Sequence, residues 1–162
     1  MKLKNLDGSS FSLDIVGYQF PDHQDDYWDA NWLMMQIQIQ LSEHFWSVKD
    51  PCLTTFEVQK LIEWFHQLSI HATDNTSLGF TEHYIQFELI IDHNENQSLR
   101  LNYIRPPKEG IIYSEKDTIS IDFPSSQIPF AEIIEDLQNQ LAKFPQRVFR
   151  IGTKKYPKKE KP

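Results

Sequence analysis

One cysteine, five glycines and no long apolar run set the first limits on this chain of 162 residues. A lone Cys52 leaves no intramolecular disulfide and suits a reducing cytosol. Five glycines supply neither a GxxxxGK[ST] nor a GxGxxG loop, so a glycine-rich phosphate cradle is excluded. No apolar stretch approaches the roughly 18–20 residues that span a bilayer, and no membrane partner is expected. Met1-Lys2-Leu3-Lys4-Asn5 is basic, but Asp7-Gly8-Ser9-Ser10 follows where a secretory leader would carry its apolar core. The expected compartment is the cytoplasm. There is no repeat at a period of about 20–50 residues.

Catalytic signatures are equally sparse. The six histidines form no HExxH, and with one cysteine no Cys/His zinc spacing exists. No GxSxG elbow is present. Glu63 and His66 have the ExxH spacing of carboxylate-bridged di-metal bundles, but such sites need that motif twice and it occurs here once. Cys52 precedes a helix start, which can activate a thiol; a lone cysteine also reads as a small hydrophobe. No catalytic residue, metal or cofactor is expected.

What is present is acid, aromatics and clean periodicity. The formal net charge is −7, unevenly spread. Residues 154–162 carry five lysines against one glutamate, a net of +4, which leaves −11 on the preceding 153. Such a body repels a phosphate backbone and attracts a basic protein, so nucleic-acid binding by the folded part is not expected. A single domain is expected over 1–150, with 151–162 as a disordered lysine-rich tail.

Apolar residues make up 40% of the chain and aromatics 13%, ample for a packed core. Leu33, Met35, Ile37, Ile39 and Leu41 alternate with Gln36, Gln38 and Gln40, the period-two pattern of a half-buried strand. Ile85, Phe87, Leu89 and Ile91 repeat it, as do Leu99, Leu101 and Tyr103, then Ile119, Ile121 and Phe123, and near the start Phe11, Leu13 and Ile15. Residues 93–97 read as a hairpin loop. One polar face per strand indicates antiparallel pairing. Thr54 and Glu57 have capping-box spacing, and Val58, Leu61, Ile62, Phe65 and Leu68 continue as a helical stripe. Phe130, Ile133, Ile134, Leu137 and Leu141 form a second, with Pro129 in its first turn. The expected fold is α+β: an antiparallel sheet of about five or more strands, with two amphipathic helices packed on one face. Leu33, Met35, Ile37, Ile39, Leu41, Ile85, Phe87, Leu89, Ile91, Ile119 and Ile121 are expected to face one core beneath the two helices.

Two surfaces qualify as contact sites. Asp22, Asp25, Asp26 and Asp29 surround Tyr27 and Trp28, and large aromatics beside acids in a loop resemble the anchors of a protein interface. The same loop, with His23, offers oxygen ligands for a hard cation. It lacks the EF-hand spacing and a glycine for the turn. The outward sheet residues, among them Gln38 and Glu88, are polar or acidic, with Arg100 as the one base, and would suit a basic partner if their strands adjoin.

Particular segments resemble a known family. They are Gly17-Tyr18-Gln19-Phe20-Pro21, Asp29-Ala30-Asn31-Trp32-Leu33 leading into a strand, Pro51-x-Leu53-Thr54-Thr55-x-Glu57 opening a helix, and Phe144-Pro145-x-Arg147 closing the last one. Together, from about Phe11 to Arg147, they resemble the small WapI-type bacterial immunity proteins. That resemblance implies a non-enzymatic inhibitor of the bacterial cytosol, binding the C-terminal nuclease domain of a contact-dependent wall-associated or Rhs-type toxin. The first reading is therefore an immunity protein for a basic toxin domain. Its contact set is Asp22, Asp25, Asp26, Tyr27, Trp28, Asp29, Gln38 and Glu88. The alternatives are a small metal-dependent hydrolase or ligand-binding domain using Asp22, His23, Asp25, Asp26 and Asp29, and an adaptor with a basic tail.

Overall fold

The computed structural model describes residues 1–22, 26–104 and 118–147. The tail expected at 151–162 lies outside them. Among the described residues, eight strands and two α-helices run in the order β1 (Lys2–Lys4), β2 (Ser10–Tyr18), β3 (Trp32–Leu41), β4 (His44–Thr54), α1 (Thr55–Ser69), β5 (Ser77–Gly79), β6 (Ile85–Ile91), β7 (Gln97–Ile104), β8 (Thr118–Pro124) and α2 (Phe130–Lys143). The fold is α+β, as the periodicity indicates. The strands divide into two antiparallel sheets of four, ordered β1-β2-β3-β4 and β5-β6-β7-β8, where the sequence suggests one.

Alternation sets the register. In β3, Leu33, Met35, Ile37 and Ile39 are buried while Gln38 is exposed, so a slip by one residue would turn four apolar side chains outward. Burying each contributes about 1.5–3 kcal/mol, which fixes the strand firmly. The pairing of β3 with β4 shifts at Cys52, between Leu33↔Leu53 and Met34↔Pro51. Such a bulge gives Pro51 a place in a strand although it has no N–H to donate. Leu41 is only partly buried against the core, and Ile91, expected inside, is 58% exposed. Ile91 is the last residue of β6, where the chain leaves the sheet for the 92–96 turn.

Both sheets and both helices share one core. Phe11 of β2 meets Phe87 of β6 edge to face at 6.2 Å, and Phe65 of α1 packs on Phe87 at 5.8 Å. Phe65 also reaches Phe130 of α2 at 6.1 Å. Asn5, in the β1–β2 turn, donates from Nδ2 to the Asp122 carbonyl of β8 at 2.8 Å and ties one sheet to the other. The Met1 ammonium sits 2.6 Å from Asp136 of α2, and Gln140 of α2 accepts the Ile15 amide at 2.7 Å. The last helix is thus fastened across β2.

Helix α1 starts on a complete capping box. The Glu57 amide donates to Thr54 Oγ1 at 3.3 Å, and Glu57 Oε2 accepts the Thr54 amide at 2.8 Å. Glu57 is buried, and its Oε1 accepts the Thr81 amide at 2.7 Å, so one carboxylate caps the helix and anchors the loop before β6. Pro129 sits at the N-cap of α2, one residue before its first turn.

Candidate interaction site

The loop from β2 to β3 carries the expected contact residues. Asp22, Asp26, Tyr27 and Trp28 are exposed, and Asp29 is half-buried at the start of a short 3-10 turn, Asp29–Asn31. His23 and Asp25 lie outside the described residues. Asp26 shapes the loop: its Oδ1 accepts the Trp28 amide at 2.8 Å and the Asp29 amide at 3.1 Å, an Asx turn. Its carbonyl accepts the Ala30 amide at 3.0 Å.

Tyr27 and Trp28 do not project freely. Tyr27 stacks on Phe56 of α1 at 5.7 Å with ring planes 4° apart, and Trp28 meets the same Phe56 edge to face at 5.0 Å. The two rings meet each other at 6.3 Å. Trp28 keeps 51% of its surface exposed and Tyr27 39%. The result is an aromatic platform, packed on Phe56 underneath and open above, beside Asp26 and Asp29 in the chain. Rigid aromatic surface of this kind costs little ordering entropy when a partner covers it.

Beneath the platform lies Asn31, fully buried, with its side-chain hydrogen-bonding capacity satisfied. Its Nδ2 donates to the Tyr27 carbonyl at 2.7 Å and to the Arg147 carbonyl at 3.1 Å. Its Oδ1 accepts Thr55 Oγ1 at 2.9 Å and the Arg147 amide at 2.8 Å. Arg147 Nη1 donates to the Phe20 carbonyl at 3.0 Å, and its guanidinium lies 3.5 Å from the centroid of the Tyr18 ring. Tyr18 donates its hydroxyl to the Pro145 carbonyl at 2.5 Å, and Gln146 Nε2 donates to Tyr27 Oη at 2.7 Å. The segments that carried the family resemblance therefore meet in space. Tyr18, Phe20, Asn31, Thr55 and Arg147 come from four separate stretches and build the support of one loop.

Gln38 and Glu88 do not join this group or each other. Gln38 is on β3, where its Oε1 accepts Ser12 Oγ at 3.3 Å. Glu88 is on β6 of the other sheet, paired with Arg100 of β7 across the ladder. Arg100 itself forms two hydrogen bonds with Asp122, at 2.7 and 2.8 Å, which hold the Asp122 carboxyl below its ordinary value. The strands that would have made one continuous acidic face are split between the two sheets.

Cys52 is buried, and burial first, then the charges of Asp50 and Glu57, push its thiol well above the ordinary value. It is the unreactive form of the residue. Asp50 is also raised, by burial and by Glu82. Glu63 and His66 are exposed on α1. Among the described residues, no three or more His, Cys, Asp or Glu side chains stand together as a metal site. Nor is any helix among them long and apolar enough to cross a membrane.

Among the described residues, the fold is an α+β domain with a supported aromatic loop on its surface. The family of WapI-like immunity proteins matches residues 2–145, and the chain belongs to that family. No curated protein and no solved structure matches it.

Sequence reasoning missed Asn31 and Arg147 as site-building residues. Their one signal was membership of the DANWL and FPxR segments, which carry no chemistry by themselves.

Proposed function

We propose that this protein is a non-enzymatic cytoplasmic inhibitor that binds and neutralises a basic toxin domain, a nuclease by preference. The observation that carries the reading is membership of an immunity protein family over residues 2–145. Charge supports it: a body of −11 speeds encounter with a cationic partner and does not itself bind nucleic acid. The contact is assigned to the loop of Asp22, Asp25, Asp26, Tyr27, Trp28 and Asp29, with Tyr27 and Trp28 as anchors. Gln38 and Glu88, on separate sheets, would belong to different faces of a larger footprint.

The test is protection. A toxin domain encoded beside this protein is expressed in cells with and without it, and the two are then purified together. Restored growth and a stable complex are the expected results. Growth arrest that persists while the protein accumulates intact would refute the pairing.

A further inference from the structure

The segment that follows α2 makes more polar contacts with the loop below the aromatic platform than with the helix it leaves. Pro145, Gln146 and Arg147 each bond to it or to the strand end that leads into it: Pro145 accepts Tyr18 Oη, Gln146 donates to Tyr27 Oη, and Arg147 engages Asn31 twice and the Phe20 carbonyl once. These bonds join residues 116 to 127 apart in sequence. The loop's own bonds are short-range. They run from the amides of Trp28 and Asp29 to Asp26 Oδ1, and from those of Ala30 and Asn31 to the carbonyls of Asp26 and Trp28. Beyond these turns the loop is tied to α1 by the Asn31–Thr55 bond and by Tyr27 and Trp28 on Phe56; loosening on the side of the C-terminal segment gives up little buried surface, so it happens readily once those long-range bonds go.

We infer that Pro145–Arg147 is a latch that sets the geometry of the contact loop, with Asn31 and Arg147 as positioning residues that need not touch the partner. The inference rests on the reading of this loop as the contact site only for its effect on binding; the latch itself is a property of the free protein. The energetic logic is preorganisation. With the latch closed, Tyr27 lies on Phe56 and Trp28 against its edge before the partner arrives, so binding does not have to order them. With the latch released, the fold keeps its core, since neither Gln146 nor Arg147 belongs to it.

Hydrogen exchange on the full-length protein decides the matter without a partner. In Arg147→Pro, which removes the amide donor to Asn31 Oδ1 together with the guanidinium, exchange at the Ala30 and Asn31 amides should quicken by about tenfold or more, while the β3 amides of Ile37 and Ile39 keep their protection. Gln146→Ala, a milder surface change, should loosen the Tyr27 side alone, and Arg147→Ala, which loses the guanidinium but keeps the backbone bonds to Asn31, should fall between parent and Arg147→Pro. Unchanged exchange at Ala30 and Asn31 in Arg147→Pro overturns the latch, as does an equal rise throughout the chain. A cognate toxin domain supplies the second readout. Arg147→Pro should shorten complex lifetime, and should add little once Trp28 is already alanine, because it acts through that ring. Faster local exchange with an unaltered complex lifetime would keep the latch and remove this loop from the contact.

Discussion

Asn31 and Arg147, 116 residues apart, exchange two hydrogen bonds: the Arg147 amide donates to Asn31 Oδ1 at 2.8 Å, and Asn31 Nδ2 donates to the Arg147 carbonyl at 3.1 Å. The pairing copies that of two facing strand residues, with one backbone replaced by a side-chain amide. It closes the path from the end of the last helix to the loop before β3. Because Asn31 also binds Thr55 at the start of α1, three distant parts of the chain depend on one buried amide.

Asn31→Ala should therefore be costly. It strands Thr55 Oγ1, the Arg147 amide and two carbonyls in a buried to part-buried site. Unpaired buried groups cost about 1–3 kcal/mol each, and partial rehydration of the loop would hold the sum to roughly 2–4 kcal/mol. Urea unfolding should show a lower midpoint with little change in slope. Asn31→Asp should be at least as damaging, since an acceptor oxygen would face the Tyr27 and Arg147 carbonyls. A loss below the error of the measurement would mean that the four bonds are dispensable.

The capping box gives a graded pair. Thr54→Ala removes a helix cap, for about 1 kcal/mol. Glu57→Ala should cost more, about 2–3 kcal/mol, because it also abandons the Thr81 amide and opens a buried position. Denaturant melts of the two variants check the order. Equal losses would show that the Thr81 bond contributes nothing.

Much of this architecture is legible in the sequence because it is local. The odd-numbered face of β3, the Thr54–Glu57 box and the stripe of α1 each follow from spacing within a dozen residues. Strand β4 is hard to read: Trp46 and Val48 alternate on a face only partly buried against the core, and Asp50 and Pro51 interrupt the apolar pattern before Cys52. The three-residue strands β1 and β5 are too short to carry one. The division into two sheets depends on which edges pair, and alternation is the same in either case. The aromatic loop stood out by composition, but its support did not. Asn31 looks like any loop asparagine until the C-terminal segment folds back on it.

Asp50 and Cys52 give a pH prediction and a reactivity prediction from one neighbourhood. The folded state raises the Asp50 carboxyl, through burial and then Glu82, so it holds a proton more tightly than the unfolded chain. Its contribution to stability therefore falls as pH climbs from the unfolded value, about 3.9, through the higher folded one, and the penalty is full at neutral pH. Asp50→Asn should raise stability at pH 7, by less than about 1 kcal/mol after solvent screening, and the gain should vanish below about pH 3.9. Melts at both pH values would expose an opposite sign. Cys52, held as the thiol, should react with a disulfide reagent in the native protein only as fast as the chain opens, and promptly in denaturant. Rapid native labelling would contradict its burial.

The last prediction separates charge from anchoring at the contact loop. Long-range attraction acts on the encounter rate and fades as salt shortens the Debye length to about 8 Å at 0.15 M. Anchors act after contact, on the escape rate. Asp26→Asn is suited to the first test because the amide keeps Oδ1 as an acceptor for the Trp28 and Asp29 amides, so the turn survives while a charge is lost. Combined with Asp25→Asn, it should slow association with a basic toxin domain and flatten its salt dependence, leaving dissociation nearly unchanged. Trp28→Ala should do the reverse. Its ring is half exposed and rests on Phe56 without entering the core, so melting should change little while the complex falls apart about tenfold faster or more. Stopped-flow association at two salt concentrations and a chase for dissociation measure both. If neither variant alters either rate and cells are still protected, the contact lies elsewhere, and the two outer sheet faces at Gln38 and at Glu88 become separate candidates, each to be tested by its own charge reversal.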